Sequence, residues 1–154
     1  MYAVRLWSVR HARGLNAFYR AFEKALIALH PLWNKIGYEK LEKPFESVER
    51  VTKGFLFDCQ MCGQCALSST GMSCPMNCPK RLRNGPCGGV RANGHCEVEP
   101  DMPCVWVQAW EGSRRMKGGD SILALQRPVD YSLRETSAWL RVTAEAATQK
   151  GAKG

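Results

Sequence analysis

Eight cysteines fall between Cys59 and Cys104, spaced C-x2-C-x2-C-x8-C-x3-C-x8-C-x8-C-x7-C. Thiols at that density either pair as disulfides or bind metal. Disulfides need an oxidising compartment. The N-terminus, MYAVRLWSVRHARGLNAFYRAFEKAL, has no apolar run before a small-residue cleavage site and does not read as a secretory signal. No stretch is long and apolar enough to cross a membrane. The expected setting is therefore cytoplasmic, and metal binding is the expected chemistry.

The first three cysteines discriminate between metals. C-x2-C-x2-C opens the bacterial ferredoxin run, in which a cysteine followed by proline comes later. Cys74-Pro75 and Cys78-Pro79 both have that form. Two-residue gaps let one short loop set Cys59, Cys62 and Cys65 on three corners of an iron–sulfur cubane. The backbone N–H groups of such a loop can turn toward the negative cluster. Gly63 is expected to leave room for that approach. Zinc is the rival: eight thiolates serve two four-thiolate sites, but zinc sites usually pair two separated C-x2-C knuckles. The expectation is two [4Fe–4S] clusters, with zinc as the alternative. By the ligand exchange of two-cluster ferredoxins, Cys59, Cys62, Cys65 and Cys78 form one set and Cys74, Cys87, Cys96 and Cys104 the other. The division with Cys74 and Cys78 exchanged stays open. His95 is expected to hydrogen-bond nearby or face solvent. Arg81, Arg83 and Arg91 lie between ligands, either tuning the clusters or forming a solvated basic surface.

The segments around the cysteines are helical. Leu15, Phe18, Phe22, Leu26 and Leu29 recur at three and four residues, which predicts an amphipathic helix, with Pro31 near its end and Gly37 closing the segment. Its apolar stripe serves either the core or a partner groove. Arg5, Arg10 and Arg13 in an acid-free leader resemble a mitochondrial presequence, or form the basic end of a packed helix. Between Cys59 and Cys104, repeated Gly and Pro forbid long elements. Val105–Glu111, with Trp106 and Trp110, predicts a short helix of core or interface type. Ser132 and Glu135 form a capping-box pattern that predicts the start of a last helix through Leu133, Trp139, Leu140 and Val142. The tail after Gln149 reads as disordered. The fold class is thus a small irregular Cys-rich metal-cluster domain flanked by α-helices, with little or no β-sheet. Its organisation is a helical docking segment (1–54), a cluster domain (55–111), and a linker, C-terminal helix and tail (112–154).

The formal charge is +8, a value at which nucleic acid is the first partner to consider. Two tetrathiolate [4Fe–4S] clusters, each carrying about −2, bring the total to about +4. The basic excess is then expected to offset clusters and meet an acidic carrier such as ferredoxin. Neither nucleic acid nor membrane is expected as a partner. The sequence has no dinucleotide fingerprint, no P-loop and no paired nucleophile and base, so no catalytic residue is assigned.

Asn84–Gly89 (NGPCGG), then Cys96-Glu-Val, then Pro103–Val107 (PCVWV) give the segment a recognisable character. From Gly54 to about Arg115 it resembles the MetV family, the small subunit of MetVF-type methylenetetrahydrofolate reductases. The same module occurs as a methylenetetrahydrofolate reductase C-terminal domain. The likeness extends more weakly to Thr136–Trp139; the first fifty residues match only in being helical and basic. The resemblance implies that all eight cysteines are cluster ligands. It also implies a MetF-like flavoprotein partner with a TIM-barrel fold that holds flavin and folate. The chain would pass electrons to or from that flavin, as the partner interconverts 5,10-methylenetetrahydrofolate and 5-methyltetrahydrofolate. A zinc-held structural subunit and a free-standing ferredoxin-like carrier are the competing readings.

Overall fold

The computed structural model describes residues 2–151, and the side chains of residues 2–148. Among them are six α-helices: α1 (Tyr2–Arg10), α2 (Ala12–Ala28), α3 (His30–Ile36), α4 (Tyr38–Phe57), α5 (Val105–Ser113) and α6 (Ala138–Gly151). No β-strand occurs among the described residues; a single bridge links His95 to Pro103. The expected fold class, a small Cys-rich helical domain, is what the chain forms.

The stripe predicted for α2 is buried in part. Leu26 is buried, Leu15 packs against a core of Ala12, Phe57, Leu67, Met72 and Met116, and Phe22 meets the Trp139 ring edge-on at 4.9 Å. Phe18 and Leu29 remain exposed. Pro31 stands in the first turn of α3, where its missing N–H costs nothing. Gly37, at φ 97°, turns the chain into α4.

Twenty residues long, α4 is the scaffold of the molecule. Glu49, Lys53 and Phe57 recur every four residues on its buried face. Its end is closed by Asp58 in the left-handed region, with the Asp58 and Cys59 N–H groups bonded to the Gly54 and Lys53 carbonyls. That turn delivers Cys59. Ser8 Oγ–H donates to the Leu56 carbonyl at 2.8 Å and ties α1 to the same end.

The predicted capping box does not open α6. Asp130 instead caps a short 3₁₀ turn, accepting from Ser132 N at 2.9 Å, while Glu135 N donates to the Met61 carbonyl. The helix begins at Ala138, and Ser137 is its cap, accepting from Leu140 N at 3.3 Å. α6 runs to Gly151, into the stretch expected to be disordered; the tail beyond it lies outside the described residues.

Where the 66–73 loop crosses α5, two glycines touch back to back. A Cβ on Gly112 would overlap the Gly71 carbonyl, and one on Gly71 would overlap Ala109 O and Ser113 N. Backbone cannot rotate away as a side chain can. Gly112→Ala is therefore expected to cost at least about 1–3 kcal/mol, read as a lowered thermal midpoint.

Candidate metal centres

The cysteines sort into two cavities. Cys59, Cys62, Cys65 and Cys74 line the first, together with Lys53, Gly63, Gln64, Arg83 and Ala138. Cys78, Cys87, Cys96 and Cys104 line the second, with Lys80, Glu97, Val105 and Trp106. The cavity linings set Cys74, rather than Cys78, beside the first three cysteines. The reason is local. Pro75–Asn77 forms a 3₁₀ turn between Cys74 and Cys78. Upstream of it, Cys74 is fixed among Phe57, Leu67 and Met72. Downstream, Cys78 packs on Cys96, Met102 and Val105. Asn77 Nδ2–H, donating to the Phe57 carbonyl at 2.8 Å, and Ser73 Oγ–H, donating to the Val105 carbonyl at 3.0 Å, pin either side of the turn.

All eight thiols are free of disulfides. Burial pushes Cys59 up to about 11 and holds Cys74 further above the usual thiol range; the neighbouring cysteines add to both shifts. Four thiols facing one small cavity cannot all be ionised unless positive charge sits among them. Such a donor set fits a polynuclear metal group. No three His, Cys, Asp or Glu side chains among the described residues meet closely enough for one metal ion; the thiols stand around the cavity walls.

The first loop is held from behind by the C-terminal segment. Gly63 (φ 69°) faces the Leu133 carbonyl and Thr136, either of which a Cβ would overlap. Gly63 lines the first cavity and also admits that segment, a requirement the spacing of the cysteines does not reveal. Gln64 Oε1 accepts from Asp130 N at 2.9 Å, and its carbonyl accepts from Arg83 Nη2 at 3.1 Å.

Two buried cations stand at this first cavity. Arg83 Nη1 lies 3.8 Å from Cys62 Sγ, and its buried Nε has no protein partner. Lys53 is 2% exposed and donates to Glu49 Oε1 at 2.6 Å. Its ammonium lies 5.0 Å from the centre of the Trp139 ring. Burial works against its charge, but Cys65 and Glu49 outweigh it and hold the ammonium protonated. Glu49 Oε2 also accepts from Ser137 Oγ at 2.8 Å and Trp139 N at 3.3 Å. None of this pair was legible as part of the site, because Glu and Lys four apart on a helix read as a solvent-facing pair.

The second cavity is built by a tight loop: Cys96 N donates to the Met102 carbonyl and Cys104 N to the Gly94 carbonyl. Cys104 immediately precedes α5. His95 hydrogen-bonds the Pro100 carbonyl through Nδ1 at 2.7 Å, one of its two expected roles. Glu97 Oε1 accepts from Cys87 Sγ at 3.6 Å and pairs with Lys80. Arg81 and Arg91 are exposed. Trp106 is buried, donating to the Leu82 carbonyl at 3.0 Å, whereas Trp110 is half exposed.

A family model described as methylene-tetrahydrofolate reductase C terminal matches residues 38–132, well over half of the chain. The chain belongs to that family. No curated protein and no solved structure matches it. The methylene-tetrahydrofolate reductase C-terminal match contains α4, all eight cysteines and α5, and it leaves out α1–α3 and α6, whose Ala138 completes the wall of the first cavity. It begins at Tyr38, earlier than the Gly54 at which the sequence resemblance becomes strong. The match thus takes in the whole of α4, which supplies Glu49, Lys53 and the turn into Cys59. No helix of the described residues is long and apolar enough to cross a membrane.

Proposed function

We propose that this chain is an iron–sulfur electron-transfer subunit of the MetV type. Cys59, Cys62, Cys65 and Cys74 would hold one [4Fe–4S] cluster, and Cys78, Cys87, Cys96 and Cys104 a second. When bound, such clusters supply one-electron transfer. The partner is a MetF-like flavoprotein, and electrons pass to or from its flavin during interconversion of 5,10-methylenetetrahydrofolate and 5-methyltetrahydrofolate. The observation that carries this reading is the sorting of eight cysteines into two sets of four within a methylene-tetrahydrofolate reductase C-terminal chain. Thiols spread around a cavity wall suit a group of several atoms better than one zinc ion, whose sulfurs each stand about 2.3 Å from the metal.

The chain's own residues have defined work. Trp106, Val105 and Met102 keep water from the second cavity, and Leu67, Met76 and Ala138 do so at the first. Arg83 and Lys53 oppose the negative charge of four thiolates. Between α2 and α4 runs an apolar groove lined by Phe18, Phe22, Val48, Leu56 and Trp139, and Lys53 and Leu67 belong to both the groove and the first cavity. A flavoprotein seated there would stand next to the first set of thiols. Folate reduction takes two electrons, and a flavin is the usual converter from single-electron carriers.

The test is the visible spectrum of anaerobically purified protein, before and after dithionite, with iron, sulfide and zinc measured on the same sample. A brown absorbance that bleaches is expected. A colourless protein carrying zinc and no sulfide overturns the electron-transfer role in favour of a structural subunit.

A further inference from the structure

Each cavity is lined by a paired lysine and glutamate, and they differ in the charged group that reaches a sulfur: a guanidinium at the first, a carboxylate at the second. At the first, cations face sulfur: Arg83 Nη1 stands 3.8 Å from Cys62 Sγ, and Lys53 lines the wall beside Cys65. The compensating anion, Glu49, lines the same wall but is engaged by Lys53 through Oε1 and by Ser137 and the Trp139 N–H through Oε2, and it contacts no sulfur. At the second, the anion faces sulfur, with Glu97 Oε1 3.6 Å from Cys87 Sγ. Its cations are Lys80, which also lines this cavity but is paired to Glu97, and Arg91, which donates to the Glu97 carbonyl at 3.5 Å.

Burial magnifies the difference. Lys53, Glu49 and Arg83 are all buried, whereas Lys80, Glu97 and Arg91 are exposed and screened by water. Other local fields nearly cancel. Each wall contains the start of a helix, α6 at Ala138 for the first cavity and α5 at Val105 for the second. Each set has two buried and two half-buried thiols.

Adding an electron adds negative charge. Cations directed at sulfur favour that addition, and a carboxylate at sulfur opposes it. Resting on the iron–sulfur reading above, we infer that the first four-cysteine site has the higher reduction potential, so that a single electron given to the chain resides there. The second site, with exposed charges around it, is then the lower-potential station. Arg83 and Lys53 act as positioning charges for the electron; neither is a ligand.

Anaerobic redox titration followed by electron paramagnetic resonance tests this. Cys78→Ser with Cys96→Ser leaves only the first site, and Cys59→Ser with Cys74→Ser leaves only the second. The first of these chains should titrate at the more positive potential. In the unsubstituted chain, Arg83→Gln should lower only the more positive wave, by about tenfold in the reduction equilibrium, or ~59 mV for one electron. Glu97→Gln should raise only the more negative one. Arg83→Lys, which keeps the charge, should stay near the starting value. If Arg83→Gln loses its iron, the exposed Glu97→Gln decides the matter in the same way. Coincident waves, reversed order, or shifts in the wrong wave overturn the inference while leaving the cluster reading intact. Absence of iron and sulfide from the unsubstituted chain defeats the cluster reading itself.

Discussion

A chain carrying Cys59→Ser and Cys74→Ser together is expected to keep about half of the roughly eight irons that two [4Fe–4S] clusters hold. Cys59→Ser with Cys78→Ser should keep almost none. The contrast follows from the sorting of the thiols: the first pair of substitutions damages one cavity twice, and the second damages both once. Residues that serve one site are non-additive, and residues of separate sites add. Iron and sulfide assays on anaerobically purified protein read the outcome. The opposite result, near-complete loss with Cys74 and half-retention with Cys78, would restore the ferredoxin-like exchange of the fourth ligand. Equal losses in both chains would mean that the eight cysteines act as one unit.

The second large effect concerns Glu49. Removing this carboxylate strands a buried ammonium, and it also leaves Ser137 Oγ–H and Trp139 N–H without their acceptor. Breaking a buried pair from one side costs about 3–5 kcal/mol. For a chain of this length, Glu49→Ala should lower the thermal midpoint by roughly 6–20 °C. Substituting both partners, Glu49→Leu with Lys53→Met, should recover much of that loss, because no unpaired charge remains. A shift of only one or two degrees for Glu49→Ala would show that water reaches Lys53, and that the pair is not the sealed contact its burial indicates.

Much of the architecture was legible in residue patterns. The stripe from Leu15 to Leu29 marked α2, Trp106 and Trp110 marked α5, and Gly and Pro marked the irregular middle. The eight thiols stood out by type and spacing alone. What stayed hidden depended on partners distant in sequence. Ser132 and Glu135 fit the local rule for a helix start, yet Asp130 and the Met61 carbonyl claimed the backbone groups that rule needed. Which cavity Cys74 and Cys78 each line depends on the apolar residues that the two sides of a three-residue turn meet. Lys53 and Glu49, four apart on one helix, carry no local sign that they are buried, since the covering residues Ser137 and Trp139 lie far along the chain.

Glu49 takes its last two hydrogen bonds from residues 88 and 90 positions further along the chain, and Met61 is bridged to Glu135. During synthesis these contacts must wait. A nascent chain ending between Cys104 and Leu133 has already made all eight cysteines, yet has nothing to cap Glu49 or to close the back of the loop that bears Cys59, Cys62 and Cys65. The second cavity needs no such delay, since Cys78, Cys87, Cys96 and Cys104 sit within one short stretch. Assembly thus has a built-in sequence: the later cysteines can be organised first, and the earlier ones are locked last.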